Sequence, residues 1–284
     1  MSILLRFGLF FLLCLHTPAL WAQIFQNAWV ENFDNRNGLT QNTVWSIAQD
    51  ARGLLWIATY DGLLRYDGNQ FHSYRAVIGQ TQKGLAGNSV RYLYHDGKQH
   101  LWIGTPNGLS RLNTLTDTLR SFLPNTRVRK IIPRDSLSLW LATNKGLYYF
   151  DPLRERYFCK IPHRNVLNVV NAGEGNVIFT TTESCWVLDT KRNRYFAILP
   201  ELPPDEGIRP LVKQGNYIWI GVENFGLWKL DRKTFRVVKK YDFREKAPAM
   251  GNFPVRDAFV DRSGKIWMSL QLGLFCFNPL TEET

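Results

Sequence analysis

Short apolar runs recur along this chain, each bounded by turn-forming residues. The phrase LWIATYDGLLRYD (55–67) returns as LWIGTPNGLSRLN (101–113) and LWLATNKGLYYFD (139–151). More divergent copies are VIFTTTESCWVLD (177–189), IWIGVENFGLWKLD (218–231) and IWMSLQLGLFCFN (266–278). The second position holds Trp56, Trp102, Trp140, Ile178, Trp219 and Trp267, at intervals of 46, 38, 38, 41 and 48 residues. A glycine follows at Gly62, Gly108, Gly146 and Gly273, one place later at Gly226, with Ser184 in its stead in the fourth unit. An Asp or Asn closes each phrase: Asp67, Asn113, Asp151, Asp189, Asp231 and Asn278. A valine precedes the reference position by 12 residues five times, at Val44, Val90, Val128, Val166 and Val255. Self-similarity on this scale is the mark of a repeat architecture.

Within each unit the pattern predicts four short strands. Strand a starts at the valine and ends in a turn rich in Asp and Gly, such as Asp50–Gly53 or Asp261–Gly264. Asp satisfies turn amides with its side chain, and Gly accepts positive φ. Strand b is the Leu-Trp-Ile run, and strand c runs from the glycine to the closing Asp or Asn. Strand d is aromatic: Phe71 and Tyr74, Phe122, Tyr157 and Phe158, Tyr195 and Phe196, and Phe235. No sustained 3.6-residue period competes with this reading. Four strands in about 40–45 residues make one propeller blade. Strands such as Leu55-Trp56-Ile57 are apolar on both faces, which suits a blade sandwiched between neighbours and does not suit an open sheet. The expected fold is therefore an all-β propeller of six four-stranded blades, either a closed six-bladed ring or part of a seven-bladed one. The sixth unit shows no aromatic strand d. A spare strand at Ala28–Phe33 is expected to complete it, because unpaired edges invite aggregation.

Residues 1–22 break the pattern. Arg6, an apolar run from Phe7 to Leu15, Pro18 and Ala22 fit a cleaved secretory signal, and the run is too short to span a bilayer. Residues 23–284 are then the propeller, exported to the periplasm and without a membrane span. Lys and Arg number 35 against 24 Asp and Glu, a net charge of +11. On an exported protein that excess points away from nucleic acid and toward glycans, surfaces or protein partners.

The phrase LWIGTPNGLSRLN, with its preceding strand and Asp/Gly turn, resembles the two-component regulator propeller repeat, and 38–71 is close to that family's consensus. The resemblance extends over residues 28–278. Such repeats occur in periplasmic sensor regions of hybrid histidine kinases from Bacteroidetes-type bacteria. What this implies is ligand sensing, often of oligosaccharides. Family sensors usually add further repeats, an immunoglobulin-like domain, a membrane helix and a kinase. None of these is read in this sequence, so signalling would pass through a partner such as a kinase-bearing homologue. The Asp50–Trp56 and Asp261–Trp267 turns only loosely resemble sialidase Asp-boxes.

The recurring tryptophans Trp56, Trp102, Trp140, Trp219 and Trp267, and the glycines Gly62, Gly108, Gly146, Gly226 and Gly273, are expected to be structural, since they mark one place in every blade. Arg65 and Arg111 occupy matching places in strand c, where pairing with backbone or acids is expected. Ligand contacts are sought where the repeats differ, on the face shared by the d–a loops and b–c turns. The candidates there are Tyr60, Asp61, Asn107, Asn144, Lys145, Glu183, Glu223, Asn224 and Phe225, with Asn42, Asn88 and Asn252 beside them. Amides, acids and aromatics around a shallow mouth suit an oligosaccharide or another small ligand. On the opposite face Arg154, Arg156, Lys191, Arg192, Arg194, Arg232 and Lys233 could align as a basic stripe. The histidines His72, His95, His100 and His163 lack metal-ligand spacing. Cys185 and Cys276, inside strand-c phrases, are expected to be buried thiols. No catalytic residue, metal or cofactor is expected. The alternatives are a protein interaction scaffold and, further off, a propeller lyase or glycosidase.

Overall fold

The computed structural model describes residues 31–77, 84–182, 184–199, 208–222, 226–243, 255, 257–270 and 273–283. The proposed signal peptide, most of the spare strand, and candidates Glu183, Glu223, Asn224, Phe225 and Asn252 lie outside them. Residues 31–38 form a short unit of their own, a turn in which Asp34 accepts the Arg36 backbone N–H at 2.7 Å. The blades occupy the second unit, from Leu39 onward.

Each repeat folds as an antiparallel sheet whose strands pair in chain order. The first blade is β1 (Val44–Gln49), β2 (Leu55–Thr59), β3 (Gly62–Tyr66) and β4 (Phe71–Tyr74). The second is β5 (Tyr92–His95), β6 (His100–Thr105), β7 (Gly108–Asn113) and β8 (Thr118–Phe122). The third is β9 (Val128–Asp135), β10 (Ser138–Thr143), β11 (Gly146–Asp151) and β12 (Arg156–Pro162). The fourth is β13 (Val166–Gly173), β14 (Asn176–Thr181), β15 (Cys185–Asp189) and β16 (Arg194–Ala197). The fifth is β17 (Ile208–Gln214), β18 (Tyr217–Val222), β19 (Gly226–Asp231) and β20 (Val237–Tyr241), and the sixth is β21 (Asp257–Val260), β22 (Ile266–Leu270) and β23 (Gly273–Phe277). The innermost strands touch in order, β1 on β5, β5 on β9, β9 on β13, β13 on β17 and β17 on β21. Even the divergent fourth unit forms a regular blade.

Among the described residues, five buried apolar clusters fill the five gaps between consecutive blades. Trp56 faces blade two, Trp102 blade three, Trp140 blade four and Trp219 blade six, all nearly inaccessible. The next residue in each run faces backward: Ile103, Leu141, Phe179, Ile220 and Met268 pack against the preceding blade. This is why both faces of strand b are apolar. The indole N–H is fixed by the a–b turn: Trp56 donates to Asp50 at 3.1 Å, Trp219 to Gln214 at 2.8 Å and Trp267 to Asp261 at 2.8 Å. Both Asp turns use one carboxylate oxygen for backbone N–H groups and the other for the indole.

The recurring glycine answers to the fourth strand. A Cβ on Gly62 or Gly108 would stand 2.7 Å from the carbonyl oxygen of Tyr74 or Phe122, and one on Gly146 or Gly226 would collide with that of Ile161 or Tyr241. Gly273 meets nothing, because β23 has no such neighbour among the described residues. Of the spare strand Ala28–Phe33, residues 28–30 lie outside the described residues and 31–33 carry no strand. Instead Asn278 pairs with Glu283 in the register that joins Asn113 to Thr118 and Asp151 to Arg156. The c–d turn of blade six is thus built like the others, with a left-handed residue at Glu282 (φ 59°), as at Asp117 (59°), Glu155 (52°), Asn193 (52°) and Phe235 (58°). Phe235 therefore belongs to the turn and not to strand d; its ring packs on Phe196, with centroids 6.1 Å apart.

Among the described residues no blade packs on the forward face of blade six. Trp267 is only part-buried and stacks on Phe259, and Phe259 and Leu274 are 55% and 63% exposed. On the rear face of blade one, Ile47 is 61% exposed. Cys276 shares the open side and is part-exposed, which corrects the expectation of a buried thiol, whereas Cys185 is buried and Cys159 exposed, all three free.

Candidate functional site at the central mouth

The inner strands begin on the face shared by the d–a loops and b–c turns. Just past the repeated valines their side chains converge on a cavity of about 290 Å³. Blade one contributes Trp45, blade two Arg91 and Tyr92, blade three Arg127, Arg129 and Lys130, blade four Leu167 and Asn168, and blade six Asp257. Four of the five valines are buried, Val44 being part-exposed; the residue after the valine is Arg in three units, Trp45 or Leu167 in the others, and the one after that differs in every unit.

Two aromatics clamp the first cation. The Arg91 guanidinium carbon lies 4.0 Å from the Trp45 ring centroid and 5.2 Å from that of Tyr60. Flat stacking of this kind restricts a guanidinium while leaving its N–H edge available. Lys130 Nζ sits 5.5 Å over the Tyr92 ring. Burial holds the Lys130 ammonium below its ordinary pKa, opposed by the charge of Asp257. Burial, and then Asp257, push the Tyr92 phenol well up, so it stays neutral. Arg129 donates to Asn165 Oδ1 at 3.2 Å.

The residues expected to bind ligand divide into two groups. Tyr60 reaches this mouth through Arg91. Asn144 supports it from behind: its Oδ1 accepts the Arg127 backbone N–H at 2.8 Å. The others serve the b–c turns. Thr59, Thr105 and Thr143 are buried and each donates to the glycine carbonyl, at 2.9, 3.0 and 2.8 Å, while accepting the N–H of Asp61, Asn107 or Lys145. Asp61 pairs with Arg75 at 2.6 Å, Asn107 accepts the Asn125 N–H at 3.0 Å through its backbone, and Asn88 Oδ1 accepts the Ala76 N–H at 2.6 Å. Sequence reasoning missed Trp45, Arg91, Tyr92, Arg127, Arg129, Lys130, Asn168 and Asp257. The signal available was the residue two places past the repeated valine, which differs in every unit, with an Arg recurring just before it in three.

The basic stripe on the opposite face is largely tied into turns. Arg154 pairs with Asp151 and Arg192 with Asp189, both at 2.9 Å, and Arg232 donates to the Ala172 carbonyl at 2.8 Å. Arg65 and Arg111 reach across to the next blade, Arg65 to Asp117 at 3.8 Å and Arg111 to Glu155 at 3.4 Å. A larger groove of about 500 Å³ opens on that face between blades two and three. Its lining includes Trp102, Arg111 and Leu139, positions of the repeat itself, so it reads as the wedge where neighbouring hairpins diverge.

Stacked four-stranded sheets around a common mouth define a repeat-built β-propeller. Residues 38–61 and 84–107 match the family model described as two component regulator propeller, so the first two units carry that repeat. No curated protein matches the sequence. Among solved structures, the extracellular domain of a hybrid two-component system from B. thetaiotaomicron superposes with a TM-score of 0.74 at 22% identity, covering 88% of this chain and 36% of that one. The extracellular domain of a one-component system from the same organism gives 0.72 at 19%, with the same coverage. PorZ, a surface component of the type-IX secretion system of Porphyromonas gingivalis, gives 0.64 at 12%, covering 83% and 38%. These likenesses establish the shared fold, and the chain spans little more than a third of each of these proteins. Among the described residues no helix is long and apolar enough to cross a membrane.

Proposed function

We propose that this chain is an exported, non-catalytic ligand-binding module of the sensor type, taking an oligosaccharide or another small ligand in its central mouth. The observation that carries the reading is the lining of that mouth: five blades supply it, and the position two places past the repeated valine, which gives Tyr92, Lys130, Asn168 and Asp257, differs in every unit. Residues that build blades repeat; residues that meet a ligand need not. An aromatic platform beside amide, acid and cationic groups is the mixture a sugar requires. The extracellular setting of the first two structural neighbours favours export. A glycan array probed with the purified chain tests the proposal. Binding that Trp45→Ala abolishes in a folded protein supports it; no binding to any glycan by a folded chain refutes it.

A second reading is a docking scaffold for a protein partner, including a kinase-bearing homologue. It is favoured by the apolar faces at the two ends of the blade series, Ile47 on one and Phe259 with Leu274 on the other. Pull-down from periplasmic extract separates the two. A specific protein lost on Ile47→Asp or Leu274→Asp, with no small ligand stabilising the fold, favours the scaffold.

A further inference from the structure

The charges in the mouth are unevenly placed. Arg91, Arg127, Arg129 and Lys130 all come from blades two and three and make one arc of the wall. The rest of the wall is Trp45, which stacks on Arg91, with Leu167, Asn168 and a single carboxylate, Asp257. Among the described residues, none of Arg91, Arg127 and Lys130 has a carboxylate within ion-pair distance. Elsewhere Arg65, Arg75, Arg111, Arg120, Arg154 and Arg192 each reach an acid, whereas Arg156, Arg194, Arg236 and Arg262 stand exposed on the surface.

Gathering like charges in a part-buried pocket is costly unless an anion joins them. The chain also holds these cations in place. Arg91 is clamped between two rings, Asn144 fixes the Arg127 backbone, and Asn165 accepts from the Arg129 guanidinium. Cations fixed before the ligand arrives lose less freedom on binding it. A flat guanidinium with a free edge matches a carboxylate or sulfate oxygen pair.

We propose that the mouth selects an anionic sugar, with the carboxylate or sulfate of its terminal residue held by the Arg91–Arg127–Lys130 arc and its neutral part toward Leu167 and Asn168. This rests on the ligand-binding reading above and names the ligand's charge. Asp257 accepts a sugar hydroxyl on the far side and repels a second negative charge there. A cavity of this volume lies at the small end of ligand sites, so it takes the end of a glycan chain.

The test is calorimetric titration of the purified chain with digalacturonate and cellobiouronate, their neutral counterparts galactobiose and cellobiose, and sodium sulfate. At least one uronate disaccharide is expected to bind about 10-fold or more tighter than its neutral counterpart, with affinity falling as salt rises. Arg127→Gln and Lys130→Gln are each expected to weaken it about 10-fold, since each removes a charge-assisted contact. Arg127 keeps its backbone bonds in the variant, so it guards against a Lys130 variant that fails to fold. A neutral disaccharide bound as tightly as its uronate overturns the charge selection and leaves the oligosaccharide reading standing. Sulfate binding weakened by both variants, with no sugar bound, supports the anion site and overturns the oligosaccharide reading. Uronate binding that neither variant weakens, or no binding by any probe, overturns the inference.

Discussion

Replacing Trp219 and Trp267 by alanine, one at a time, tests what the recurring tryptophan does. Trp219 is fully buried against blade six, with ring centroids of Tyr241 and Phe277 at 5.6 and 5.7 Å. Truncating a packed Trp to Ala costs about 3–5 kcal/mol. Stranding the Gln214 carbonyl that receives its indole N–H adds about 1 kcal/mol. In a chain of this size each kcal/mol lowers Tm by about 2–4 °C, so a fall of about 10 °C or more is expected for Trp219→Ala. Trp267 holds the same place in its blade and keeps the same turn bond, through Asp261. Among the described residues no blade covers it, and its stacking partner Phe259 is more than half exposed. Its truncation is expected to cost about 2–3 kcal/mol, the smaller transfer energy of a part-exposed ring plus about 1 kcal/mol for the lost turn bond. Urea and thermal melts of both variants beside the parent provide the comparison. An equal or larger loss for Trp267→Ala would refute the wedge reasoning, since it would mean that the sixth ring packs as well as the fifth without a blade beyond it. So would a Trp219 variant that melts like the parent.

Three further outcomes follow from the same geometry. Gly226→Ala is expected to destabilise the fold by several kcal/mol, because its Cβ would collide with the Tyr241 carbonyl, while Gly273→Ala costs only the backbone preference of about 1 kcal/mol; melting curves decide, and equal losses would contradict the glycine argument. The Asp261 carboxyl is held down to about 2, first by the Trp267 indole N–H and then by the Ser263 hydroxyl. Its folded pKa lies below the unfolded one, so it adds stability above about pH 4 that is lost as pH falls through 2. Asp261→Asn should therefore lower urea midpoints at pH 7 and converge with the parent near pH 2; a gap that persists at pH 2 would count against it. Native thiol titration is expected to modify exposed Cys159, whose thiol burial pushes up, while Cys185 reacts only after denaturant is added; a Cys185 that reacts in the native state would contradict its burial.

The blades were legible because each carries several constraints at fixed offsets. The glycine answers to the d-strand carbonyl, the tryptophan to the next blade, and the closing Asp or Asn to its own turn, as where Asp151 accepts the N–H groups of Leu153 and Arg154. Constraints shared by unlike residues were not legible. The left-handed position in the c–d turn holds Asp117, Glu155, Asn193, Phe235 and Glu282, with no chemistry in common. What they share is a backbone conformation, which turn geometry imposes whatever the side chain. In blade six one feature was missed for a related reason. An aromatic fourth strand was sought beyond Asn278, whereas the turn that starts such a strand is already formed by Glu282 and Glu283.

Topology points to the face where the inner strands converge on the mouth, yet most of the described residues named on it serve turns. Polar residues in a b–c turn are committed first to backbone N–H and carbonyl groups, as the buried Thr59, Thr105 and Thr143 demonstrate. A turn residue is therefore a poor bet for ligand contact even when it varies, because several polar types satisfy the same turn. The start of strand a works differently. Its backbone is already satisfied by the neighbouring strand, Arg91 N to the Gly104 carbonyl at 2.8 Å for example, so its side chain is unconstrained by local hydrogen bonding. Variation there is free to follow what fills the mouth. On the proposed function, the positions that would report most on a ligand are those two places past the repeated valine, where Tyr92, Lys130, Asn168 and Asp257 differ from blade to blade.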